Sequence, residues 1–91
     1  MYFITTMNRD ESRCVGYFST LEAATEAVQT NRGDIYEEGY YPNVVIEYVE
    51  EGIYNYDFNP TWFTYNKITR RYEKSDRPPY VEDNSIGFGI G

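Results

Sequence analysis

The stretch Ser19-Thr20-Leu21-Glu22-Ala23-Ala24-Thr25-Glu26-Ala27-Val28-Gln29-Thr30-Asn31-Arg32-Gly33 decides the fold. Its first four residues have the form of a capping box, in which the Ser19 hydroxyl accepts from the third helical amide while Glu22 reaches back to the amide of Ser19. A helix is therefore expected from Ser19 to Asn31. Leu21, Ala24 and Val28 fall at i, i+3 and i+7 as a narrow apolar stripe, and the small Ala23 and Ala27 beside it let the helix lie close on a sheet. Asn31, Arg32 and Gly33 supply the stop.

Strand patterns flank this helix. Tyr2-Phe3-Ile4-Thr5-Thr6-Met7 is aromatic and β-branched, breaks at the polar run Asn8 to Ser12, and is followed by Arg13-Cys14-Val15-Gly16-Tyr17-Phe18, so the two read as a hairpin. After the helix, Asp34 to Glu38 fits one more helical turn before Gly39. Val44-Val45-Ile46-Glu47-Tyr48-Val49 is apolar on one face and nearly so on the other, the pattern of a central strand. Tyr54, Tyr56 and Phe58 alternate with Asn55 and Asp57 in an extended period-2 pattern that Asn59-Pro60 ends. Thr61-Trp62-Phe63-Thr64-Tyr65 and Arg71-Tyr72-Glu73-Lys74 flank the polar Asn66 to Arg70 segment as a second hairpin. Pro78 and Pro79 lack amide donors and cannot continue a ladder. The order predicts an α+β fold: one small domain over residues 1–91, an antiparallel sheet of about five strands with one main covering helix, and residues 78–91 as a Pro/Gly-containing C-terminal tail. In that tail Ile86, Phe88 and Ile90 recur at every second residue, a pattern suited either to a frayed end or to a docked edge strand.

Composition narrows the function. The 91 residues include eleven Tyr, five Phe and one Trp, but no His and one Cys. Aromatic rings supply stacking and packing surface, whereas His and Cys most often carry proton transfer, metal ligation and nucleophilic attack. No phosphate-cradling glycine loop precedes a helix: Gly87-Phe88-Gly89-Ile90-Gly91 has no helix after it. The expectation is a binding protein and not an enzyme, with no metal and no cofactor. Cys14 has no intrachain partner, which fits a reducing compartment, and it reads as a small apolar side chain between strand neighbours. No apolar run approaches the roughly 20 residues of a membrane span and no secretory signal is evident, so a cytoplasmic protein without membrane contact is expected. A domain this small removes only about 60% of its unfolded surface from water, and aromatic surface suits self-association, so a homo-oligomer is expected.

The formal charge of −7 is unevenly placed. Between Asp34 and Asp57 stand seven acidic residues and no Lys or Arg, whereas Lys67, Arg70, Arg71, Lys74 and Arg77 crowd the second hairpin. Net acidity opposes nonspecific binding to nucleic acid, yet a local basic cluster can hold one or two phosphates. Trp62 and Tyr65 beside Lys67, Arg70 and Arg71 combine flat faces for a base with forks for phosphate. These five are the candidate ligand-binding residues, with Arg13 and Tyr17 as additions on the face that Val15 occupies. Phe63 and Tyr72 are expected in the core.

Tyr2-Phe3-Ile4-Thr5-Thr6, Arg13-Cys14-Val15-Gly16-Tyr17-Phe18, Leu21-Glu22-Ala23-Ala24, Val45-Ile46-Glu47, Glu51-Gly52-Ile53-Tyr54, Trp62-Phe63 and the closing Gly87-Phe88-Gly89-Ile90-Gly91 together resemble a group of small uncharacterised proteins of gut bacteria and their phages. The likeness spans most of the chain and implies a habitat, with no chemical role for any residue. Small phage accessory proteins commonly block host immunity stoichiometrically, which makes an anti-defence role the expectation. The partner is then a small nucleotide immune signal held by the basic hairpin. Alternatively, the acidic stretch blocks a nucleic-acid-binding host defence protein such as a CRISPR nuclease. A phage structural or assembly protein is the third possibility.

Overall fold

A computed structural model describes residues 1–52 and 59–81. Five strands, β1 (Tyr2–Met7), β2 (Ser12–Phe18), β3 (Asn43–Tyr48), β4 (Thr61–Asn66) and β5 (Arg71–Ser75), form one sheet in the order β2-β1-β3-β4-β5. Every neighbouring pair is antiparallel. β2 and β3 therefore run the same way on the two sides of β1, a connection too long for a tight turn, and helix α1 (Leu21–Gln29) lies within it. This is the expected α+β domain, with the Val44 to Tyr48 segment at the centre of the sheet.

The helix begins one residue later than the capping box implies. Thr20, with φ −126°, is the cap, and its Oγ1 accepts from the Ala23 amide at 3.2 Å. Ser19 is outside the helix. The one-residue shift also changes the buried stripe: Ala24, Ala27 and Val28 are buried, while Leu21 is 37% exposed. Spacing i, i+3, i+4 keeps the stripe on one face, whereas Leu21 sits in the first turn, off the end of the sheet contact. Asn31 takes the left-handed conformation at φ 51° and ends the helix.

On the helix side of the sheet, Ala24, Ala27 and Val28 pack with Ile4, Val44, Ile46, Phe63 and Tyr72. Phe63 and Tyr72 are fully buried, as their apolar surface requires. The other face has a smaller cluster of Met7, Val45 and Val81 with Trp62 and Tyr80 against it, and Glu47 is buried there as well. Pro78, Tyr80 and Val81 thus belong to the folded body, and the segment expected to be a tail from Pro78 instead starts as a strap. The Tyr80 hydroxyl donates to Asn43 Oδ1 at 2.6 Å, and Asn43 Nδ2 donates to the Phe63 carbonyl and Thr64 Oγ1. The alternating Tyr54 to Phe58 segment and the Ile86 to Ile90 pattern lie outside the described residues.

Candidate functional site

The β4–β5 turn is organised by one asparagine. Asn66 Oδ1 accepts from the amides of Ile68 and Thr69 at 2.9 and 3.3 Å, and its carbonyl accepts from the Arg70 amide at 2.8 Å. Such side-chain mimicry of a backbone turn is what Asn does best. Arg70 completes the reversal at φ 58°. Asn66 Nδ2 and Thr69 Oγ1 then each donate to one oxygen of Glu73, both at 3.1 Å. The acid of β5 is thereby occupied within the turn. Lys67, Arg70, Arg71 and Lys74 are all exposed, and among the described residues none of them forms an ion pair. An open groove of about 550 Å³ runs past Tyr65, Lys67, Ile68 and Lys74.

Strand parity divides the sequence-derived candidates. Trp62 pairs with Val45 and packs on the strap side, whereas Tyr65 pairs with Tyr72 and packs on the helix side. An odd spacing places two strand residues on opposite faces, so one chain does not join Trp62 and Tyr65 in a single surface. Arg71, opposite Asn66, shares the Trp62 side of the sheet. Tyr65 and Lys67 therefore share one groove, Arg70 and Arg71 adjoin it in the turn without lining it, and Trp62 packs on the other face of the sheet.

Arg13 and Tyr17 are also separated. The register of β1 and β2 shifts between Ile4 and Thr5, so that Val15 is an extra, bulged residue. One inserted residue reverses the face of everything beyond it. Arg13 reaches Glu37 at 3.3 Å, while Tyr17, 60% exposed, lies by Phe3 with ring centroids 5.5 Å apart. Neither approaches the β4–β5 turn as a neighbour in the sheet. Cys14 is half-buried, with Sγ 3.8 Å from the Gly16 carbonyl oxygen, in keeping with a packing role.

An aromatic partner that sequence patterning missed is Tyr36. Its ring stacks on Tyr65 at 3.6 Å and 10° between planes, and Tyr72 meets Tyr65 edge-on at 5.1 Å. The loop that carries Tyr36 is held by Asn31, whose Oδ1 accepts from the Tyr36 amide at 2.9 Å and whose Nδ2 donates to Asp34 at 3.2 Å. A contact between residues so far apart in the chain leaves no periodic signal. The Tyr72 hydroxyl donates to the Tyr41 carbonyl at 2.6 Å. Burial, reinforced by the neighbouring Tyr36, Tyr65, Asp34 and Glu37, pushes the Tyr72 phenol well above its ordinary range.

Asp34, Glu37 and Glu38 all take positive φ in this loop, at 53°, 49° and 54°. Two of them lie within the short 3-10 segment Glu37–Gly39, so the helical turn expected from Asp34 to Glu38 is replaced by a left-handed reversal. The site is a charged hairpin beside an aromatic stack, on a small antiparallel α+β domain. No family model matches the chain, and no curated protein or solved structure matches it either. Among the described residues, no helix is long and apolar enough to cross a membrane, and no cluster of three acidic or cysteine side chains has the geometry to hold a metal ion.

Proposed function

We propose that the protein is a non-catalytic binding protein whose β4–β5 hairpin sequesters a small phosphorylated nucleotide. The observation that supports this best is the set of four exposed cations, Lys67, Arg70, Arg71 and Lys74, on a turn whose own acid is already engaged. Guanidinium forks suit phosphate, and the turn fixes their roots before any ligand arrives, which lowers the cost of ordering on binding. Tyr65, whose ring stacks on Tyr36, lines the groove with Lys67 and Lys74, and Arg70 and Arg71 adjoin it in the turn, so a base has an aromatic neighbour near the cations. A second chain of a homo-oligomer closes the open side, because the groove of one chain is shallow. With the resemblance to gut-bacterial and phage proteins, the ligand is a nucleotide immune signal, and the protein works in the host cytoplasm as a stoichiometric anti-defence factor.

Calorimetry against a panel of cyclic and linear nucleotides tests this. At least one member binds, and replacing Arg70 and Arg71 by alanine removes the binding with the fold retained. Failure of every member overturns it. The acidic loop then becomes the working surface, a reading favoured by the three positive-φ acids that the loop presents. In that case charge reversal at Glu37 and Glu38 destroys inhibition of a nucleic-acid-binding host protein.

A further inference from the structure

A second cavity, away from the hairpin, lies between the bulged β1–β2 pair and the C-terminal end of α1. It measures about 180 Å³ and is walled by Ile4, Val15, Phe18, Ala27 and Ile35. Three local features leave it open. Val15 is the bulged residue, which bends β2 away from a regular ladder. Gly16, paired with Ile4 on the helix side of the sheet, contributes no side chain, and a Cβ built there meets nothing within 4 Å. Ala27, buried above, is too short to fill the gap.

The rim carries one charge of definite placement. The Arg32 guanidinium sits over the Phe18 ring, 5.7 Å from its centroid, and its Nη2 lies 3.5 Å from Glu26 Oε1. That exposed pair is a long single contact, the kind that contributes little to stability. Among the described residues, four of the five guanidinium N–H donors remain for another acceptor. The stacking on Phe18 holds the charge at the opening, where an anion would meet it.

We propose that this cavity binds a small aromatic monocarboxylate, with the ring among Val15, Phe18 and Ile35 and the carboxylate on Arg32. The size fits, since a dry apolar cavity of roughly 150 Å³ accepts benzene. The polarity fits as well, with apolar walls and one orienting cation at the mouth. Because none of the hairpin cations lines this cavity, the site is independent of nucleotide binding.

The experiment is a heteronuclear NMR titration with phenylacetate, and with benzyl alcohol as its uncharged counterpart. Phenylacetate shifts the amides of Val15, Phe18 and Ile35 while leaving residues 66–74 unmoved. Arg32→Gln weakens it about tenfold, the scale of one charge-assisted contact. Gly16→Val fills the cavity and abolishes the response; β-branched residues suit a strand, and Gly16→Ala supplies a gentler version with a graded loss. No shift at those three amides at millimolar phenylacetate overturns the site. Unchanged affinity in both Gly16 variants overturns its location, and equal binding of benzyl alcohol overturns the role of Arg32.

Discussion

The acidic loop from Asn31 to Tyr41 and the basic β4–β5 turn meet at the Tyr36–Tyr65 stack, yet they dispose of their charges in opposite ways. In the loop the polar groups hold the chain: Glu37 pairs with Arg13, Asp34 accepts from Asn31, and Glu11 accepts from the Tyr41 hydroxyl. In the turn the single acid is tied down by neutral donors, and the four cations are left to solvent. Within the fold, Asp34 and Glu37 of the first region have partners, whereas the cations of the second have no ion pair among the described residues. Charges that folding does not need are the ones available for a ligand, and this difference directs attention to the hairpin.

The contrast can be broken most severely at the bond that ties the two regions together. Tyr72→Phe removes the donor to the Tyr41 carbonyl and leaves a buried acceptor unsatisfied, which costs about 1–3 kcal/mol in denaturant unfolding. The same substitution changes the alkaline behaviour. Burial holds the folded phenol protonated above its ordinary value of 10.0, whereas the unfolded phenol ionises near it. The stability linked to this group is therefore complete below pH 10 and falls as the pH rises beyond it. Wild type loses stability in that range more steeply than Tyr72→Phe, as unfolding curves at several alkaline pH values will show.

A smaller effect is expected in the loop alone. Asn31→Ala deletes the acceptor for the Tyr36 amide and the donor to Asp34, and it places Ala at φ 51°, for a loss of about 1 kcal/mol. Tyr36 amide exchange should accelerate while amides of β3 keep their protection. The smallest change belongs to the hairpin: Arg70→Ala with Arg71→Ala alters stability by no more than about 0.5 kcal/mol, because neither side chain is buried or ion-paired among the described residues. A midpoint shift much larger than that would mean the cations serve the fold.

Much of the sheet could be read from the chain because its strands carry strong local signals. The run Val44 to Glu47 is buried on both sides and its strand is central; Phe63 and Tyr72 are in the core; Asn66 to Arg70 make the turn. Ser19 and Thr20 offered the same capping chemistry, and the backbone selected Thr20, which a pattern cannot distinguish. The bulge at Val15 carried no composition cue beyond Gly16, so the shared face expected for Arg13 and Tyr17 was lost with the register. The opposite faces of Trp62 and Tyr65 are legible in their odd spacing, which outweighs their proximity to the same cations. The Tyr36–Tyr65 stack and the return of Pro78 to Val81 onto the sheet are tertiary contacts, invisible to local periodicity.

The decisive measurement is amide chemical-shift mapping of the wild-type protein with the nucleotide that binds best in the calorimetric panel. The largest shifts should fall on residues 66–74, with a secondary response at Tyr36 through the stack, and all should vanish in the Arg70→Ala, Arg71→Ala variant. Shifts centred on Asp34 to Gly39, or a response that persists unchanged in that variant, would contradict a phosphate site on the β4–β5 hairpin.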